Sequence, residues 1–144
     1  MSTYTFDSSV IIAHRVRELP KHFVLSAVVI AELTAGAPDN STRKDYEALR
    51  RDYIKYGALV VPTSDDWLTA SRILFWLSQG RKRKMGGKAP KLVVGANQRM
   101  FFDALIAVSA RRAAAAVVTN DYDDFKAIQY YCPFRLIRGI DFFG

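Results

Sequence analysis

Cysteine and histidine are scarce in this chain, and that scarcity excludes several kinds of site. The 144 residues include one cysteine, Cys132, and two histidines, His14 and His22. A single cysteine excludes an internal disulfide and a cysteine-rich zinc site, and it is consistent with a reducing cytosol. The two histidines do not form a zinc-binding spacing such as HExxH. We therefore expect a cytoplasmic protein whose chemistry relies on neither thiols nor zinc.

Long hydrophobic runs are also missing. Asp7 interrupts the N-terminal stretch before the apolar core of a signal peptide can form. No run approaches the roughly 20 apolar residues that a helix needs to cross a bilayer, so we expect no membrane partner. Half of the residues are nevertheless hydrophobic, which is enough for a real core. We predict one domain covering residues 1–144.

Acidic residues are absent from one segment, residues 81–91, which reads RKRKMGGKAPK. It carries much of the net charge of +7, because basic and acidic residues almost balance in the rest of the chain. This distribution favours a polyanion partner such as nucleic acid, although a solvated loop has the same composition. We predict a basic, glycine-rich insertion or flap at 79–99, with its candidate RNA-binding residues at Arg81, Lys82, Arg83, Lys84, Lys88 and Lys91.

The most informative stretch is residues 101–125, which reads FFDALIAVSARRAAAAVVTNDYDDF. Its first half is apolar almost all round, which predicts a helix that is covered on most faces. The short β-branched run at 115–119 predicts a buried parallel strand. Asp121 follows that strand directly, at the end of a strand where α/β proteins bind their ligands. It also stands where a residue would cap the next helix.

Elements alternate along the whole chain in the order β-α-β-α-α-β-α-loop-α-β-α-β. This alternation predicts an α/β fold with helices on both faces of a parallel sheet of about five strands. Asp7 ends the first strand, so it belongs to the same sheet edge as Asp121.

Two further acids lie on apolar helical rows. Asp103 opens the row that continues through Ile106 and Ala110, and Glu32 has Val28 and Val29 one turn earlier. For Asp103 a helix cap is the competing explanation. Four carboxylates in one pocket repel each other, and a hard divalent cation such as Mg2+ relieves that repulsion. Such a site suits phosphodiester hydrolysis.

Four motifs resemble those of a known protein family. They occur in the same order as in that family and span nearly the whole chain. They are FDSSVIIA at 6–13, SAVVIAEL at 26–33, DALIAVSA at 103–110 and VVTNDYDDF at 117–125. With these motifs the sequence resembles PIN-domain proteins, and specifically the VapC-type toxin ribonucleases of toxin–antitoxin systems. The resemblance implies a PIN-like three-layer α/β/α fold and a Mg2+-dependent endoribonuclease, with Mn2+ as a possible substitute ion.

The resemblance also implies roles for individual residues. Asp7, Glu32, Asp103 and Asp121 would form the catalytic acid set, with Asp7, Asp103 and Asp121 as metal ligands and Glu32 and Asp124 as further candidates. Ser9 and Thr119 would be the supporting hydroxyls. Two departures stand out: Phe102 replaces the asparagine that often precedes the third acid, and the stretch before Asp103 is longer than usual.

The implied partners are an RNA substrate and a VapB-like antitoxin, in a homodimer that becomes a heterotetramer or larger assembly with the antitoxin. Two other functions stay open. One is a PIN-like nucleic-acid-binding module without catalysis. The other is a phosphatase with Asp7 as nucleophile, but such enzymes usually have a second acid two residues later, where this chain has Ser9.

Overall fold

The computed structural model describes residues 3–14, 18–84 and 96–144, with the backbone alone for 81–84 and 96. The strands are β1 (Thr3–Phe6), β2 (Leu25–Ser26), β3 (Leu59–Val60), β4 (Ala115–Thr119) and β5 (Leu136–Arg138). The helices are α1 (Ser8–Ala13), α2 (Ala27–Ala35), α3 (Asn40–Lys55), α4 (Ser64–Lys84), α5 (Ala96–Arg112), α6 (Tyr122–Gln129) and α7 (Gly139–Phe143). Within these ranges no helix is both long and apolar enough to span a bilayer.

All strand pairs are parallel, as the alternation of elements predicted. The described strands form a three-stranded sheet in the order β1-β4-β5 and a two-stranded sheet of β2 and β3. A backbone hydrogen bond of 2.9 Å from the Val24 N–H to the Tyr4 carbonyl links the two. The sequence predicted one central sheet of about five strands, but the five described strands divide into a sheet of three and a sheet of two, so the central sheet is smaller than expected. The carboxyl ends of β1, β4 and β5 lie at one edge.

β4 and α5 form the centre of the molecule, as the stretch 101–125 predicted. Every residue of β4 is buried, because β1 and β5 flank it and helices cover its faces. On α5 the run from Ala104 to Ala110 is buried throughout. Ser109 fits this apolar setting because its hydroxyl donates to the Leu105 carbonyl at 2.6 Å. Asp103 is thus carried on a helix with little freedom to move.

A partly buried ion pair fixes the end of α5 against α4. Arg112 Nε donates to the buried carboxylate of Asp66 at 3.0 Å, and its Nη2 donates to the Val61 carbonyl at 2.8 Å. Asp66 also accepts a hydrogen bond of 2.9 Å from the Thr63 N–H, while the Thr63 hydroxyl caps α4. These contacts set the position of the helix that carries Asp103.

Two regions differ from the sequence prediction. The segment 79–99, expected to be irregular, is helical at both ends: α4 continues to Lys84 and α5 begins at Ala96. One glycine inside a helix, Gly80, costs only about 1 kcal/mol, and tertiary contacts offset it. The short helix α7 was not predicted.

Candidate active site

Asp7 is held in place through both its backbone and its side chain. It follows β1 and is tied to β4 by a hydrogen bond of 3.2 Å from its N–H to the Val118 carbonyl. Its side chain is 3% exposed and caps α1 by accepting from the Val10 N–H at 3.3 Å. The sequence prediction that Asp7 lies at the carboxyl edge of the sheet is therefore confirmed by the geometry.

Both predicted hydroxyls contact Asp7. Ser9 Oγ donates to Asp7 Oδ1 at 2.6 Å, and Thr119 Oγ1 donates to Asp7 Oδ2 at 2.5 Å. These donors hold the carboxylate in one orientation and favour its ionised form. Burial opposes them and prevails, so the pKa of Asp7 is raised from its ordinary value. The charge of Asp121 adds to the rise.

The same hydroxyls organise the turn after β4. Ser9 Oγ accepts from the Asn120 N–H at 3.2 Å, and Thr119 Oγ1 accepts from the Asp121 N–H at 2.8 Å. Each hydroxyl thus donates to Asp7 and accepts from the turn that carries Asp121. A single hydrogen-bonded network joins the ends of β1 and β4.

Glu32 and Asp103 approach this network from two helices, α2 and α5. Burial, followed by the charges of Asp7 and Glu32, raises the pKa of Asp103 to about 8. Burial and the charge of Asp7 also raise the pKa of Glu32. Oε1 of Glu32 is buried and has no hydrogen-bond partner among the residues that the structure describes. The sequence predicted that both acids approach the sheet edge, and the charge of Asp7 raises the pKa of both, as expected for acids that lie near it.

The acidic turn supplies the remaining carboxylates. Asp121 and Asp124 are both exposed, and the charges of both raise the pKa of Asp103. The geometry does not choose between them as the fourth acid, so that assignment stays a prediction. They border an open cavity of about 500 Å³ whose lining residues are Asn120, Asp121, Tyr122, Asp123, Asp124 and Arg138.

Two arginines near the acids were missed by the sequence reasoning. The charge of Arg99 lowers the pKa of Glu32, against the larger effect of burial. The guanidinium of Arg138 lies over the ring of Tyr122, with Cζ 4.3 Å from the ring centroid. Arg99 could have been noticed because it precedes Asp103 by one helical turn. Arg138 could have been noticed because it closes the last strand at the same sheet edge.

The donor set fits a hard divalent cation in chemistry and charge. The candidate ligands are carboxylates, the type of ligand that Mg2+ prefers. Glu32 has a buried oxygen that no described residue contacts by a hydrogen bond. Burial and neighbouring negative charges raise the pKa values of Asp7, Glu32 and Asp103. Within residues 3–14, 18–84 and 96–144, no three His, Cys, Asp or Glu side chains are positioned to hold an ion together. Binding would therefore require these side chains to move closer to one another.

The predicted RNA-binding residues fall where side chains are not described. Lys88 and Lys91 lie outside the described residues. For Arg81, Lys82, Arg83 and Lys84 the structure gives the helical backbone of α4 and nothing of the side chains. Their role stays a prediction.

Gly139 allows α7 to start close against the acidic turn. A Cβ at this buried position would overlap Oδ1 of Asn120. We expect Gly139→Ala to lower the free energy of unfolding by about 1 kcal/mol, because the Asn120 side chain must shift. The loss should disappear when Asn120→Ala is also introduced, as a double-mutant cycle of melting temperatures would show. Equal losses in both backgrounds would mean that Asn120 is not the source.

A comparison with models of protein families identifies the family of this chain. The model of the PIN domain matches residues 4–129, and the chain belongs to this family. A search of curated protein sequences finds no significant match. The match begins in β1 and ends at the last residue of α6, so it contains every candidate carboxylate.

Solved structures of low sequence identity share the fold. FitAcB from Neisseria gonorrhoeae has a TM-score of 0.57 at 16% identity, over 95% of this chain and 98% of that one. DNA-bound VapBC from Salmonella typhimurium has a TM-score of 0.53 at 16% identity, over 96% of this chain and 99% of that one. VapBC-5 from Mycobacterium tuberculosis is a member of the VapBC family of toxin–antitoxin systems. It has a TM-score of 0.50 at 22% identity, over 96% of this chain and 99% of that one.

Proposed function

We propose that this protein is a metal-dependent endoribonuclease and the toxin of a type II, VapBC-like toxin–antitoxin system. The observation that carries the proposal is the convergence of Asp7, Glu32, Asp103 and Asp121 at one edge of a PIN-domain sheet. The charges of the neighbouring acids all raise the pKa of Asp103, and a bound cation would relieve that repulsion. A structural role does not require that cost, so the arrangement favours catalysis over a binding module without activity.

In this proposal the ion is Mg2+, for which Mn2+ can substitute. Asp7, Asp103 and Asp121 would hold it, with Glu32 and Asp124 as further candidates. A bound divalent ion lowers the pKa of water and stabilises negative charge on a phosphate. Ser9 and Thr119 hold the Asp7 carboxylate in one orientation and favour its ionised form against the effect of burial. Glu32 has a raised pKa and a carboxylate oxygen that no described residue contacts by a hydrogen bond, which suits it to accept a proton from the attacking water.

The proposed partner is a VapB-like antitoxin. Several of the structurally similar proteins were solved as complexes named VapBC, two of them bound to DNA. By analogy we propose a homodimer that forms a heterotetramer or larger assembly with its antitoxin. This part of the proposal rests on the similarity of fold and on no contact within this chain.

We also propose that the basic segment binds the RNA backbone. Changing Arg81, Lys82, Arg83 and Lys84 together to Gln should weaken RNA binding. The slope of log affinity against log salt should flatten by about 0.7 for each phosphate contact that is lost. Binding to a short RNA across a salt series measures both effects. Identical slopes for the two proteins would show that these side chains do not contact phosphates.

An RNA cleavage assay tests the proposed activity. Purified protein should cut single-stranded RNA internally when Mg2+ is present and should stop when EDTA removes the ion. Glu32→Gln should be inactive in the same preparation, which excludes a contaminating ribonuclease as the source. Cleavage that persists in EDTA, or that Glu32→Gln retains, would contradict the proposal.

A further inference from the structure

Arg138 is an exposed residue at the carboxyl edge of the sheet. It is the last residue of β5, and its register partner on β4 is Thr119, which hydrogen-bonds to Asp7. Arg138 therefore lies one strand away from the carboxylate network. It falls outside residues 4–129, the part of the chain that matches the PIN domain. Its role does not follow from the family match.

The guanidinium of Arg138 is held by an aromatic ring. Its Cζ lies 4.3 Å from the centroid of Tyr122, the first residue of α6. A stacked arginine keeps its N–H groups free to point outward in its own plane. Among the described residues Arg138 forms no ion pair, although Asp123 and Asp124 line the same cavity. Arg138 therefore places a cation over the Tyr122 ring, and no side-chain hydrogen bond from it is found within the described part of the chain.

The charge of the surrounding surface explains why such a cation is needed. Among the described residues, the lining of the cavity that contains Arg138 has three aspartates and no second basic residue. A phosphate that approaches this edge meets repulsion from those aspartates. One arginine at the cavity wall offsets part of the repulsion and offers two parallel N–H donors to phosphate oxygens. The position of the Arg138 guanidinium would also guide the path of a bound nucleic-acid strand.

We propose that Arg138, oriented by Tyr122, binds a phosphate of single-stranded RNA next to the bond that is cleaved. This inference rests on the proposed function, because RNA is its substrate. The ligand class is a phosphodiester strand, and the subsite is the cavity between the acidic turn and the end of β5.

The test is RNA binding in EDTA, where cleavage does not interfere. A fluorescent, mixed-sequence, single-stranded RNA serves as the probe in anisotropy titrations across a salt series. Arg138→Gln should weaken binding several-fold and flatten the salt slope by about 0.7. Arg138→Lys should keep the slope but recover only part of the affinity, since a lysine lacks the planar pair of donors. Tyr122→Leu should weaken binding, whereas Tyr122→Phe should not.

Arg135→Gln is the matched control. Arg135 precedes β5 at the opposite end of the strand and donates to the Thr3 carbonyl at 3.1 Å, so its loss changes net charge equally at a distance from the cavity. Equal effects of Arg135→Gln and Arg138→Gln would overturn the subsite, and so would an absence of RNA binding by the unaltered protein. Selective weakening by Arg138→Gln in a protein that fails to cleave RNA with Mg2+ would support the subsite and reject the proposed activity.

Discussion

Asp7→Asn is expected to lower RNA cleavage by at least about a hundredfold, with the fold intact. The substitution removes the charge of the acid that the network holds most firmly, and each 1.4 kcal/mol of lost transition-state stabilisation costs about tenfold in rate. The amide has almost the volume of the carboxylate. Its oxygen can still accept from Ser9, and its NH2 group can donate to Thr119 once that hydroxyl rotates.

Initial rates of cleavage and melting curves together measure this prediction. Asp45→Asn is the matched control, because Asp45 is an exposed aspartate on α3. The control should retain full activity. An Asp7→Asn protein that melts like the unaltered protein and cleaves at a normal rate would remove Asp7 from the mechanism.

Asp103→Asn is expected to stabilise the metal-free protein at neutral and alkaline pH. The pKa of Asp103 is raised to about 8 in the folded state, chiefly by burial and then by the neighbouring acids. An acid with a raised folded pKa favours folding while it is protonated, and that contribution is lost as pH rises from near 4 to about 8. The amide never ionises, so the variant avoids the loss.

The melting temperature in EDTA, followed from pH 4.5 to 9, gives the result. The two proteins should melt alike at the acid end. By pH 8 the variant should gain about 10 °C or more, since a rise of about four pKa units corresponds to roughly 5 kcal/mol and each kcal/mol to about 2–4 °C. Asp45→Asn should follow the unaltered protein throughout. Parallel curves for Asp103→Asn would mean that Asp103 is not under the strain its surroundings indicate.

Local sequence signals were sufficient to find the acids and most of the elements. Asp7 and Asp121 could be located because each directly follows a β-prone run, and parallel strands bring such ends to one edge. Glu32 and Asp103 could be located because each interrupts an apolar helical row. The serine that opens the motif at 26–33 is a residue type that often caps helices, and its hydroxyl accepts from the Val29 N–H at the start of α2. These features depend on neighbours in sequence.

Features that depend on distant contacts were not predicted. The stacking of Arg138 on Tyr122 joins two separate elements, and neither residue stands out in its own segment. Helix α7 has five residues and begins with a glycine, so it has no periodic pattern to detect. It is stabilised instead by packing of Phe142 and Phe143 against Phe6. The split of the strands into two hydrogen-bonded sheets is likewise a tertiary property.

The central claim is that the carboxylates form a divalent-cation site, and the Mg2+ dependence of the melting temperature tests it most directly. A ligand that binds only the folded state stabilises it by RT ln(1 + [L]/Kd), so each tenfold excess over Kd adds about 1.4 kcal/mol. The unaltered protein and Asp45→Asn should gain stability equally as Mg2+ or Mn2+ is added. Asp7→Asn should gain much less. A melting temperature that does not respond to either ion at any concentration, or that responds equally in Asp7→Asn, would contradict the account.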